Sequence, residues 1–229
     1  MNLFDFEKIE PWIPYLSKGI GVTLLIALLS AITGVILGIV IVLMKKHKGF
    51  SFFANAYIDI FRGTPLLLQL SIVYFAVPQV LDRIFNVGLG NDIDFSLPAL
   101  YAAFITFGLN SAAYISEIIR SGINSVDPGE IEAAKALGIS KFHMYKDIIL
   151  PIAFKNSFPA LMNEFITLIK ETSIVSIIGV QDLFRRQQIV TGQTYLYFEA
   201  LIIIGIIYYV LIKIFSYIGR RIEVVLAND

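Results

Sequence analysis

Glu132-Ala133-Ala134-Lys135-Ala136-Leu137-Gly138, followed after nine further residues by Ile148-Ile149-Leu150-Pro151, is the stretch that decides how this chain folds. It fills the one long polar gap between hydrophobic segments. Just upstream, Asp127-Pro128-Gly129-Glu130 reads as a helix start: Asp127 caps, Pro128 suits the first helical position, and Glu130 completes a capping-box spacing. Gly138 is a left-handed stop about ten residues later. Ser140 caps a second helix, residues 141–150, which runs into an apolar segment at Pro151. Ala133, Ala134 and Ala136 leave a low-relief surface suited to a groove on a partner, and Glu132 and Lys135 give it charges for orientation. Such a helix, a glycine stop and a second helix entering a bilayer form a docking part through which another protein can push on a membrane helix. The plainer alternative is a surface helix joining two spans.

The rest of the chain supplies the bilayer. Of 229 residues, 57% are hydrophobic and 16% charged, with a mean hydropathy of +0.76. A soluble domain sits near 45–50% apolar and about 25% charged, so the surplus needs more than one core to hide in. Net charge is zero, which gives no footing for a nucleic-acid surface. Cysteine is absent, which excludes disulfides, thiolate metal sites and a cysteine nucleophile. His47 and His143 lie beside lysines and read as solvated or headgroup-level residues, so no metal site is expected. Residues 1–10 carry three acids and one lysine ahead of any apolar run, the wrong sign for a signal peptide.

A spanning helix needs ~20 largely apolar residues. Five segments are expected to cross: 20–44, 65–80, 97–119, 148–169 and 195–217. The second has an amphipathic approach interrupted by Asp59, Arg62 and the turn-like Gly63-Thr64-Pro65. Residues 174–180 are apolar but too short to cross. Lys45, Lys46, Lys48 and Arg62, then Arg120, Lys135, Lys141 and Lys146, then Arg220 and Arg221 share one side of such a chain. The excess of Lys and Arg there places the N-terminus outside and the C-terminus in the cytoplasm. The gap with Asp82, Asp92 and Asp94 against Arg83 agrees; Arg185 and Arg186 in the fourth gap dissent. No internal repeat or second domain interrupts residues 1–229.

Polar residues inside spans are costly and normally face a bundle interior or a wet cavity. Thr106, Asn110, Tyr114, Glu117 and Ser121 keep to one face of the third span. In the fourth, Asn156, Asn163, Thr167 and Lys170 share a face, with Glu164 and Glu171 adjoining. Gln69 adds a polar group from the second. Glu164 has no lysine or arginine three or four residues away, which makes it a candidate for a ligand cation. Glu117 and Arg120 are spaced for an ion pair within one helix. Interhelical hydrogen bonds remain the alternative use of Asn110 and Asn163. Gly34 and Gly38 form a small-x-x-x-small step for close approach of another helix.

The spacing E-A-A-x3-G-x9-I-x-L-P resembles the cytoplasmic coupling motif of ABC transporter permeases. Arg62-Gly63-Thr64-Pro65-Leu66, Asn110-Ser111-Ala112-Ala113-Tyr114, Glu117-Ile118-Ile119-Arg120 and Lys170-Glu171-Thr172-Ser173 extend the likeness over nearly the whole chain. Together they resemble the permease subunits of polar amino acid ABC importers, the histidine/glutamine/arginine group. The resemblance implies an all-α, polytopic type I ABC importer permease fold in a bacterial inner membrane. It implies two permease subunits, expected as a homodimer, two cytoplasmic ATPase subunits and an external solute-binding protein. Glu132, Ala133, Ala134, Gly138, Leu150 and Pro151 then couple to the ATPase. The chain has no G-x-x-x-x-G-K-[ST], so ATP and Mg belong to that partner and no cofactor is expected here. The amino acid is expected among Glu164, Asn163, Asn110, Tyr114, Gln69 and Glu117. Glu164 favours a basic one (arginine, lysine or histidine); glutamine or another polar amino acid is the alternative. An intramembrane enzyme would need a nucleophile–base pair or metal ligands at membrane depth, and both histidines fall in loops. A channel would not need the docking helix.

Overall fold

The computed structural model describes residues 5–90 and 92–228; the first four residues of the acidic N-terminal stretch lie outside it. Secondary structure among the described residues is helical, without a strand. The main elements are α1 (Ile13–Lys46), α2 (Lys48–Gly63), α3 (Leu66–Gly88), α4 (Ala99–Asn124), α5 (Pro128–Ala136), α6 (Leu150–Glu171), α7 (Leu183–Thr194) and α8 (Tyr197–Asn228).

Among the described residues four helical stretches are long and apolar enough to cross a bilayer: Phe6–Lys46, Leu66–Gly88, Ala99–Asn124 and Tyr197–Asn228. They overlap the segments expected as the first, second, third and fifth spans, and each runs past the expected C-terminal end. The helical backbone satisfies itself past the apolar run, with polar side chains such as Arg220 and Arg221 still attached to it. The expected fourth span falls on α6. Its 22 residues reach about 33 Å at 1.5 Å per residue, but Lys155, Glu164, Lys170 and Glu171 set it apart in composition. It packs against α1, α4 and α8.

Prolines shape two of these helices. Wide π turns occupy Ile72–Ala76, just before Pro78, and Met144–Ile149, just before Pro151. A proline ring offers no N–H and crowds the carbonyl four residues back, and a wider turn relieves both. In the second case the helix begun at Lys141–His143 continues through the wide turn into α6.

Lipid tails are as apolar as leucine, so helices in a bilayer associate mainly through close packing. The α1–α4 crossing shows this. A methyl on Gly34 would sit 2.7 Å from Ser111 Oγ, and one on Gly38 would sit 3.2 Å from the Ser116 nitrogen and 3.4 Å from the Ala112 carbonyl. The small-x-x-x-small step therefore does bring a second helix into contact. The central core joins Ile26 of α1, Leu70 of α3, Phe107 of α4 and Leu168 of α6, all buried. The short apolar run after α6 forms the 3₁₀ turn Thr172–Ile178, and Gly179 ends it at φ +84°. Val175, Ile178 and Val180 enter the same core. Arg186 stacks 4.7 Å over the Tyr15 ring and donates to the Tyr15 carbonyl at 3.4 Å. The dissenting arginines thus sit at the end where α1 begins, opposite Lys45 and Lys46.

Candidate functional site

Residues 127–151 form a helix–stop–helix. Asp127 Oδ1 accepts the Gly129 N–H at 2.7 Å, the second amide of α5, where a full capping box takes the third, that of Glu130. At the other end Gly138 has φ +70°. Its N–H donates to the Lys135 carbonyl and that of Ile139 donates to the Ala134 carbonyl, so α5 ends with its last carbonyls occupied. Ser140 Oγ caps the next helix through the His143 N–H at 3.4 Å.

The alanine surface needs correction. Ala134 is 2% exposed and packs with Val126, Met144, Ile149 and Ala153. The π turn before Pro151 folds back on α5, and the small side chain lets the two approach. Ala133, Ala136, Glu132 and Pro151 are exposed. The most exposed large side chains of the segment are apolar: Leu137 is 79% exposed and Phe142 68%. Leu150 is also exposed, on the bilayer side of the loop.

Gln69 and Asn110 meet, and the α2–α3 turn explains why. Thr64 is extended ahead of Pro65, as the proline ring requires, so the last carbonyls of α2 lose helical partners. Gln69 Nε2 donates to the Phe61 carbonyl at 2.9 Å, the Thr64 carbonyl at 3.0 Å and Thr64 Oγ1 at 2.9 Å. Asn110 Nδ2 donates to Gln69 Oε1 at 3.0 Å and to the Phe61 carbonyl at 3.2 Å. These amides fasten the turn to α4, the interhelical use open to Asn110.

Tyr114 and Glu117 line a cavity of about 340 Å³ together with Arg62, Ser121, Asn156 and Ala160. The Arg62 guanidinium lies 5.3 Å from the centre of the Tyr114 ring. Glu117 pairs with Arg120 at 2.6 Å, as its spacing predicts, and also with Lys45 at 2.9 Å. Asn156 donates to Ser125 Oγ at 2.9 Å. Lys45 and Arg62 were not legible as site residues, because no local spacing links them to α4.

Glu164 is half-buried and accepts the Ser111 hydroxyl at 3.3 Å. It lies one helical turn beyond Ala160, as Asn110 and Ser111 lie one turn beyond Tyr114. It therefore stands past the end of the cavity away from the coupling loop. Asn163 does not join this group. One residue turns ~100° about a helix, and Asn163 instead faces a separate hollow of about 280 Å³ with Met162, Ser216, Arg220 and Glu223. Lys155 turns away too, donating to the Ala227 carbonyl near the end of α8 at 3.2 Å.

Comparison with known proteins gives this geometry a family. Residues 17–223 match the model for binding-protein-dependent transport system inner membrane components. The chain is 48% identical over 225 residues to the arginine transport system permease protein ArtQ of Bacillus subtilis (strain 168), covering 97% of each chain. It is 45% identical over 218 residues to the putative glutamine transport system permease protein GlnP of Rickettsia typhi (strain ATCC VR-144 / Wilmington), covering 94% of each. A solved amino acid ABC transporter with histidines superposes with a TM-score of 0.85 at 39% identity, over 97% of this chain and 99% of that one. The chain belongs to the binding-protein-dependent transport system inner membrane components, within the group of amino acid ABC permeases.

Proposed function

We propose that this chain forms the translocation pathway of an ATP-driven importer of basic amino acids, working as a dimer of five-span subunits. A permease of this family is a transport subunit and implies partner permease and ATPase subunits. In this reading α6 also crosses, as the fourth span, residues 127–146 and the C-terminus face the cytoplasm, and the N-terminus is outside. Two ATPase subunits hold ATP and Mg, seat Leu137 and Phe142, and move the start of α6. A solute-binding protein delivers the amino acid from outside.

Glu164 carries the substrate assignment. It is half-buried, its one recorded hydrogen-bond partner is neutral Ser111, and no cation lies within ion-pair distance among the described residues. A carboxylate held at such depth favours a cationic ligand, and a charge-assisted contact is roughly twice as strong as a neutral one. Tyr114 and Glu117 line the cavity below. Gln69 and Asn110, held to the turn, act as the frame. The arginine transport relative supports the basic reading; the glutamine transport relative supports a second one, in which Glu164 and Ser111 hold a neutral amide. Uptake by Glu164→Gln in the reconstituted complex separates them. The expected outcome is loss of arginine uptake with the balance shifted toward glutamine. An unchanged preference would overturn the basic assignment.

A further inference from the structure

A second cavity, larger than the polar one, opens on the other side of the α4–α6 crossing. It measures about 570 Å³ and is bounded by α1, α4 and the start of α6. Its wall is almost wholly apolar, with Ile39 and Leu43 from α1, Ile119 from α4, and Leu150 and Phe154 from α6. Ile39, Leu43, Leu150 and Phe154 are each about half exposed. The groove continues an open face along α1 that includes Leu28, Ile32 and Ile36. One charged side chain borders it, Lys46, at the mouth nearest the coupling loop. Lys46 Nζ stands 5.0 Å over the Tyr145 ring, which also borders the groove. Neighbouring Lys45 is engaged by Glu117, whereas Lys46 has no carboxylate partner among the described residues. The chain breaks out of helix at His47, with ψ 120°, and Lys48 begins the next helix.

We infer that this groove holds an anionic phospholipid of the leaflet on the coupling-loop side, with an acyl chain between α1, α4 and α6 and its phosphate at Lys46. The geometry has the two parts such a ligand needs: an apolar slot parallel to the helices and an uncompensated cation at its interfacial end. Basic pockets between membrane helices are known seats for anionic headgroups. Tyr145 adds an aromatic ring at that level, where such rings are favoured. A second copy of this chain is a poorer occupant, because the charge at the mouth calls for an anion and, besides Lys46, the lining offers only the Tyr145 and Ser157 hydroxyls as polar side-chain groups. The site lies against α6 where the coupling loop joins it, so an occupant would stiffen the element that the loop moves.

The test is lipid retention by the purified full-length transporter complex, measured by native mass spectrometry with phosphatidylglycerol and phosphatidylcholine of identical chains. The wild type is expected to keep phosphatidylglycerol in preference, and Lys46→Gln to lower that preference about fivefold, the weight of one basic residue at a membrane surface. Lys48→Gln, further along the chain, is expected to change it less. Leu43→Trp, which fills the slot, is expected to reduce retention of both lipids. Equal retention of the two lipids by the wild type, or an unchanged preference in Lys46→Gln, would overturn the assignment. So would a disulfide between two copies of a Leu43→Cys chain, which would show the groove closed by a partner. None of these readouts depends on which amino acid is carried.

Discussion

Single residues set how closely the helices meet. Gly122 of α4 is the tightest case: a methyl there would lie 2.6 Å from the Ala153 carbonyl and would overlap the Ser157 hydroxyl. The hydroxyl could turn to another rotamer, but the carbonyl is backbone and cannot move aside. Gly122→Ala is expected to lower stability by about 1–3 kcal/mol, the usual cost of an added methylene in a packed core, seen as a lower thermal midpoint in detergent. A midpoint equal to wild type would mean α4 and α6 separate more easily than the contact implies. Gly138 has the opposite constraint. Nothing crowds it, and only its φ of +70° excludes a side chain, at ~1–2 kcal/mol for an L-residue in that region. Its glycine was legible from position alone, as a stop after a capped helix. That of Gly122 was not, because its obstacle comes from another helix.

The coupling loop is the element where sequence and structure agree most and then part. Its start at Asp127, its stop at Gly138 and the second cap at Ser140 follow from local chemistry that any reader of the sequence can apply. Which face looks outward does not, because it depends on a helix that folds back onto Ala134 through Met144, Ile149 and Ala153. Ala134 consequently lies inside, and Leu137 and Phe142 are the exposed apolar side chains of the loop, the proposed contact surface. Leu137→Ser combined with Phe142→Ser is expected to leave the thermal midpoint unchanged, since both side chains are exposed, while abolishing substrate-stimulated ATP hydrolysis in the reconstituted complex. Stimulation at the wild-type level would remove these two residues from the docking surface. The polar face of α4 was legible in the same partial way. Periodicity placed Asn110, Tyr114 and Glu117 in line, yet only the fold shows that Asn110 serves the α2–α3 turn and Glu117 serves Lys45.

At the scale of the whole molecule, the proposed orientation and copy number are open to direct measurement. The chain lacks cysteine, so Ser140→Cys gives a single labelling site. An impermeant thiol reagent added outside intact cells is expected to leave it unlabelled and to label it in inside-out vesicles. External labelling would reverse the topology. The polar cavity beside α4 and α6 is open rather than enclosed by one chain, which supports two permease subunits for two ATPases. A purified complex with one copy of this chain, two ATPases and no other permease would contradict that.

The contact between Gly122 and the α6 backbone bears on how such a molecule moves. It lies between the coupling loop and the turn of α6 that carries Glu164, and at that point the two helices have no slack to slide. What they retain is rotation about the touching spot. A push that brings the loop-side ends together is then expected to splay the far ends of α4 and α6, as the jaws of a clothes peg part when its grips are pressed. The displacement at Glu164 would scale with its height above the pivot, so moving the pinch by one turn along α4 would change the stroke of the transporter without altering either of the sites it connects.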